Sequence, residues 1–312
     1  MFDMNNNEEN ISRVIHEAWK RAGVDTEAPG LGMSELLELA DQNFRESTPI
    51  ALNNWLLVFD ECGAWFANLA ILLMFSLIVA PSGDIQLRRV LACVIGNISS
   101  QIIAIRKLVL SGLDVQAKQL LRILIENIDV SLLIAQDKDA LGDFELTIDE
   151  LSSNDFWHKH ISKGKIRTKI HSKLGEVIGR DAYREFEQYF KQEEQILGMA
   201  IHPSLGAAQM ACFPRLVGGH ESDPFSFGFL GGVSAFSERT LSYAVFYTIF
   251  YLSYGYVPKN IEASGYDDAV QKGIDELQDR VDRGKIALGH ICGYAFQNKQ
   301  SAEFSTSMPD HL

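Results

Sequence analysis

In LGMAIHPSLG a histidine, His202, stands directly before a proline. Proline disfavours helical backbone at the preceding residue, so this imidazole projects from a junction between segments. With an unperturbed pKa of about 6.5 it can serve as general acid or base; alternatively it satisfies carbonyls at a helix end. Ser204 is close, but a Ser and a His without an oriented base and an oxyanion site do not make a nucleophilic triad. Four apart in LLRILIENIDV, Arg122 and Glu126 share one face of a strongly apolar helix. A charged pair among leucines must be paired or functional, because burying an isolated ion is costly. Two readings stay open: an internal salt bridge that fixes helix register, or an arginine that binds an anion beside a glutamate that holds or deprotonates a substrate group.

The third constellation is HKHISKGKIRTKIHSK, residues 158–173, with six Lys or Arg, three His and no acid. From Lys163 to Lys173 every second residue is basic or His, so an extended backbone would place all six side chains on one side. Lys163, Lys165, Arg167 and Lys169 are then candidate phosphate-binding residues for RNA or a nucleotide. The plain alternative is a solvated loop that balances an acidic neighbour. No aromatic interrupts the alternating half, so base stacking has no support there. His158, His160, His171, His202 and His220 include no pair at HxxxH spacing, and the chain holds no Walker loop, GxGxxG, GxSxG or HExxH motif. Neither a metal nor a cofactor is expected.

The stretch LSGLDVQAKQLLRILIENIDVSLLI, followed far downstream by GMAIHPS, resembles a bacterial all-helical family of unknown function with a glycine turn, an RxxxE helix and a His-Pro-Ser junction. The resemblance covers roughly residues 85–204 and extends distantly to the HEPN domains of ribonuclease toxins and phage-defence proteins. It implies an all-helical fold with Arg122, Glu126 and His202 as the catalytic positions. HEPN nucleases carry Arg and His on one helix at a slightly longer spacing than the nearest match here, RTKIH from Arg167 to His171.

These side chains need elements to hold them. Thr48 and Pro49 make an N-cap and a first-turn proline, and only Gly63 interrupts the pattern before Pro81. A second helix is expected over 85–110, ended by Ser111 and Gly112, and a third over 114–136. Long helices on short turns pack as antiparallel neighbours. Residues 137–173 read as polar and irregular; helices return over 180–197, 234–256 and 267–296. The Phe-, Pro- and Gly-rich run 209–232 is the place for a hairpin. The expected fold is all-α, a large bundle of long antiparallel helices with at most one small β-hairpin. Its expected divisions are an N-terminal helical arm (1–47), a bundle core (48–262) and a C-terminal helix with a mobile tail (263–312).

With 312 residues and 46% hydrophobic content the chain can bury a sizeable core. Its net charge of −13 opposes indiscriminate coating of nucleic acid or anionic lipid and leaves room for a local basic site. Four widely spaced cysteines without a CxxC pair read as reduced, mostly buried thiols. MFDMNNNEEN lacks the basic and apolar regions of a secretory signal, so a cytoplasmic protein is expected. Residues 62–83 and 240–258 are uncharged and long enough to span a bilayer; acids flank the first and tyrosines are spread along the second, which favours buried bundle helices. Val270, Ile274, Leu277, Val281, Leu288 and Ile291 form a stripe suited to packing on the bundle or to holding a second copy of the chain. The function so read is a polar site acting on RNA or a nucleotide phosphate. The alternatives are a non-catalytic interaction or oligomerisation protein and a membrane-associated component.

Overall fold

The structure, a computed structural model, describes residues 50–80, 84–162, 164–172, 180–201, 235–263 and 265–306 together with a few isolated positions. Every regular element among them is helical: α1 (Ile50–Val79), α2 (Ile85–Leu110), α3 (Asp114–Gln136), α4 (Lys138–Glu145), α5 (Glu150–Phe156), α6 (Arg180–Ile201), α7 (Ala235–Tyr254) and α8 (Asp268–Thr306). Two π-helical turns, Trp157–Ile161 and Arg167–His171, complete them. The expected all-α bundle is the fold. The anticipated hairpin over 209–232, most of the N-terminal arm and His202 lie outside the described residues.

Local chemistry sets the joints. Between α2 and α3, Gly112 takes φ +66°, a conformation open to glycine, while Gly112 N–H donates to the Val109 carbonyl and Leu113 N–H to that of Leu108. This Schellman closure turns the chain back at once. At the other end of α2, buried Arg88 donates to the carbonyls of Ser76 (2.8 Å) and Ala80 (2.7 Å), capping the C-terminus of α1. Arg106 grips Asp60 with two hydrogen bonds, tying α2 to α1 midway.

α1 packs against α2, α7 and α8; α3 packs against α2, α6 and α7. The uncharged stretch of α7 is thereby a central element, with Leu241, Tyr243, Val245, Tyr247 and Tyr251 all buried. A helix enclosed on every side needs no polar face. Among the described residues α1 and α2 are long and apolar enough to cross a membrane, and about half of the α1 window is buried in the bundle. On α8, Ile274, Val281 and Leu288 are buried in the common core, with Val270 and Leu277 packed on it, while Ile291 remains exposed. Trp65 of α1 donates from Nε1 to the Val281 carbonyl of α8 at 2.9 Å. Cys62, Cys93 and Cys292 are free thiols, and only Cys93 is exposed.

The segment expected to be irregular holds α4, α5 and both π turns. Its start signals are local: the Asp137 carboxylate accepts from the N–H groups of Asp139 and Ala140, and Asp149 forms a reciprocal capping box with Ser152.

Candidate functional site

Asp114, Lys118, Arg122, Glu126 and Asp129 follow one another at spacings of three or four along α3, which makes them one ridge. α6 and α7 pack against this helix. At the N-terminal end, Ser237 of α7 donates to Asp114 Oδ1 (2.6 Å), and Arg239 donates from Nε to Glu193 Oε1 of α6 (2.9 Å). Glu193 is buried. Lys118 is 1% exposed, and its Nζ finds no hydrogen-bond partner among the described residues, lying 5.4 Å from the centroid of Phe236. Burial pulls its pKa down to about 8 against the opposing pull of Glu193 and Asp114.

Further along the ridge a cavity of about 440 Å³ opens between α3, α6, α7 and the segment around the π turns. Arg122, Glu126 and Asp129 line it from α3, and Tyr243 and Tyr247 from α7. His171 joins them from the second π turn. His171 Nε2 lies 3.0 Å from Asp129 Oδ1, and both side chains are buried. Rings of Phe190 and Phe250 stand edge-on to the imidazole with centroids 4.8 and 5.2 Å away, fixing its plane. Burial pushes the Tyr243 phenol well above its ordinary pKa, so it is a neutral hydroxyl.

The sequence-derived site residues fall in different places. Arg122 Nε donates to Glu126 Oε1 at 3.0 Å, but each side chain is 43% exposed, so this is a pair at a cavity mouth and not the core salt bridge that the surrounding leucines suggested. The buried apolar residues Leu121, Leu124 and Ile128 belong to the other faces of α3. The basic segment is not an extended ribbon. Because residues 167–171 form a π turn, alternate residues do not share a side. Lys165 donates to the His158 carbonyl (2.6 Å), and Lys169 to Asp137 Oδ2 (2.8 Å), beside a separate hollow of about 560 Å³ shared with Lys159, His160 and Asp143. Lys163, the Arg167 side chain and His202 lie outside the described residues.

Among the described residues, His160 and His171 do not converge. His160 is bridged to Asp143 at 2.7 Å and His171 to Asp129, so each anchors the basic segment through its own aspartate. Among the described residues no group of three His, Cys, Asp or Glu stands where it can hold a metal ion. Asp129, Lys118 and the Glu193–Arg239 pair were missed from sequence, and His171 was named there without its partner Asp129. One signal was available: Asp129 is a lone acid in the apolar run IDVSLLI, which calls for a partner. The site thus combines a carboxylate, a carboxylate-held imidazole and a guanidinium on one cavity, a set that can remove a proton, deliver one and steady negative charge between them. The chain matches no family model, no curated protein and no solved structure.

Proposed function

We propose that the protein cleaves the phosphodiester of RNA or of a nucleotide at the α3 cavity. The observation that carries this reading is that Arg122, Glu126 and the Asp129–His171 pair, 42 residues apart within the pair, line one cavity. Glu126 takes the proton of a ribose 2′-hydroxyl, whose oxygen attacks phosphorus. The bond from phosphorus to the 5′-oxygen breaks, and protonated His171, oriented by Asp129, delivers a proton to that oxygen. Arg122 steadies the added charge on the phosphoryl oxygens. The products are a 2′,3′-cyclic phosphate and a free 5′-hydroxyl. A cytoplasmic, HEPN-like role in toxicity or phage defence, as the resemblance implies, belongs to the same reading. The test is incubation of the purified protein with single-stranded RNA and analysis of the new ends. Cyclic phosphate ends that vanish with Glu126→Gln support it; no cleavage, or equal cleavage by the variant, overturns it.

One observation favours a second reading, an interaction protein. Ile71, Met74, Phe75 and Ile78 are exposed together on the outer face of α1. A second copy of the chain would cover them, making Ile78→Glu monomeric in light scattering where the native chain is dimeric. A monomeric native chain removes this reading, and recovery of the untagged protein in the membrane pellet assigns the face to a bilayer instead.

A further inference from the structure

Cys62 of α1 and Cys292 of α8 are free thiols, both fully buried, and neither lines the α3 cavity. Their helices pack together and run antiparallel: Trp55 meets Phe296 with ring centroids 5.1 Å apart, and a Cβ built at Gly284 would stand 3.0 Å from Trp65 Cδ1. Cys62 and Cys292 fall between these two contacts, and their thiols are hydrogen-bonded to each other. That bond, with burial adding to it, holds the Cys62 thiol well above its ordinary pKa; it lowers that of Cys292 against the opposing effect of burial. The proton therefore stays on Cys62, and Cys292 is the sulfur that reacts as a thiolate.

α8 packs on α1 and α7, while Ile286, Ile291 and Tyr294 on its other side are exposed. Cys292 is thus about one helix thickness from solvent, and a local opening of this outer helix admits an oxidant as small as hydrogen peroxide. We propose that Cys62 and Cys292 form a peroxide-reactive site that closes an intramolecular disulfide between α1 and α8. The Cys292 thiolate attacks one oxygen of hydrogen peroxide and the O–O bond breaks. A sulfenic acid forms, and the departing hydroxide takes up the proton that Cys292 released. The Cys62 sulfur then attacks the sulfenic sulfur, the S–O bond breaks, and the second hydroxide leaves as water with the Cys62 proton. The two thiols are oxidised to one disulfide, and one peroxide is reduced to two waters. The bond fastens the outer helix α8 to α1 and closes most of the chain into one loop.

The experiment treats the folded full chain with hydrogen peroxide, blocks the remaining thiols with iodoacetamide under denaturing conditions, and maps the unreduced peptides by mass spectrometry. A Cys62–Cys292 cross-link that dithiothreitol reverses is expected, in Cys93→Ser as in the native chain. The cross-linked protein melts above the reduced one, because the unfolded chain is constrained by a long closed loop. Cys62→Ser, whose helix content is checked by circular dichroism, lacks the resolving thiol, so peroxide there adds oxygen to Cys292 as sulfenic and then sulfinic acid. Alkylation of both Cys62 and Cys292 in the peroxide-treated native chain overturns the proposal. So does a disulfide to Cys93, to Cys212 or to another copy of the chain in place of this one. An unmodified Cys292 in folded Cys62→Ser overturns its part as the attacking sulfur.

Discussion

The imidazole of His171 lies 3.0 Å from the carboxylate of Asp129, buried, on the wall of the cavity that Arg122 also lines. A carboxylate neighbour accepts, so Nε2 carries the proton that points at Asp129. Asp129→Asn keeps the shape of the pair and removes the charge that fixes this tautomer. RNA cleavage by the variant falls by roughly a hundred- to ten-thousandfold in single-turnover assays. A fall of less than threefold assigns the pair to structure alone.

Arg122 separates stability from activity. Its ion pair with Glu126 is nearly half exposed and contributes less than about 1 kcal/mol, so Arg122→Ala leaves the urea midpoint almost unchanged. Cleavage nonetheless drops by a hundredfold or more, and Arg122→Lys recovers only part of it because an ammonium lacks the planar fork. A large loss of stability with activity intact would reverse these roles.

Lys118 gives a pH dependence of predictable sign. Its pKa is about 8 in the folded chain, below its ordinary value of 10.5, so the unfolded chain binds more protons between those two pH values. Stability therefore rises as pH climbs through that window and carries the full penalty below it, a penalty on the order of 3 kcal/mol. Lys118→Met removes the charge that burial opposes. At neutral pH it melts above the native chain, and the difference narrows as pH is raised through the window. A variant that melts lower at every pH shows that the ammonium holds the fold.

Gly63 of α1 lies close against Ile102 of α2. A Cβ built there would lie 2.8 Å from Cγ2 of Ile102, a branched core atom with little room to move. Gly63→Ala costs about 1–3 kcal/mol by overpacking, despite the better helix propensity of alanine. Pairing it with Ile102→Val in a double-mutant cycle restores only part, because Cγ2 remains, whereas Ile102→Ala relieves the clash at the expense of a cavity.

The long helices were legible because their determinants are local. Apolar periodicity, Gly112 and the breakers at residues 81–83 define α1, α2 and α3 without reference to anything distant. Asp137 and Asp149 also carried readable caps, but the short helices behind them lack an apolar stripe long enough to register. The site was legible only on α3. Arg122 and Glu126 announce themselves by spacing, while His171 acquires its meaning from Asp129, and no pattern along the chain connects them. Exposure was misjudged for a related reason: periodicity shows which residues share a face, whereas the number of neighbours covering that face is decided by tertiary packing.

The cavity takes Tyr243 and Tyr247 from α7, and Trp65 of α1 waits for the Val281 carbonyl of α8. During translation, a nascent chain that has released only its first three long helices therefore carries Arg122 and Glu126 on an unfinished surface. The cavity is complete only once α7 has left the ribosome, so whatever chemistry it performs is separated in time from the machinery that synthesises the chain.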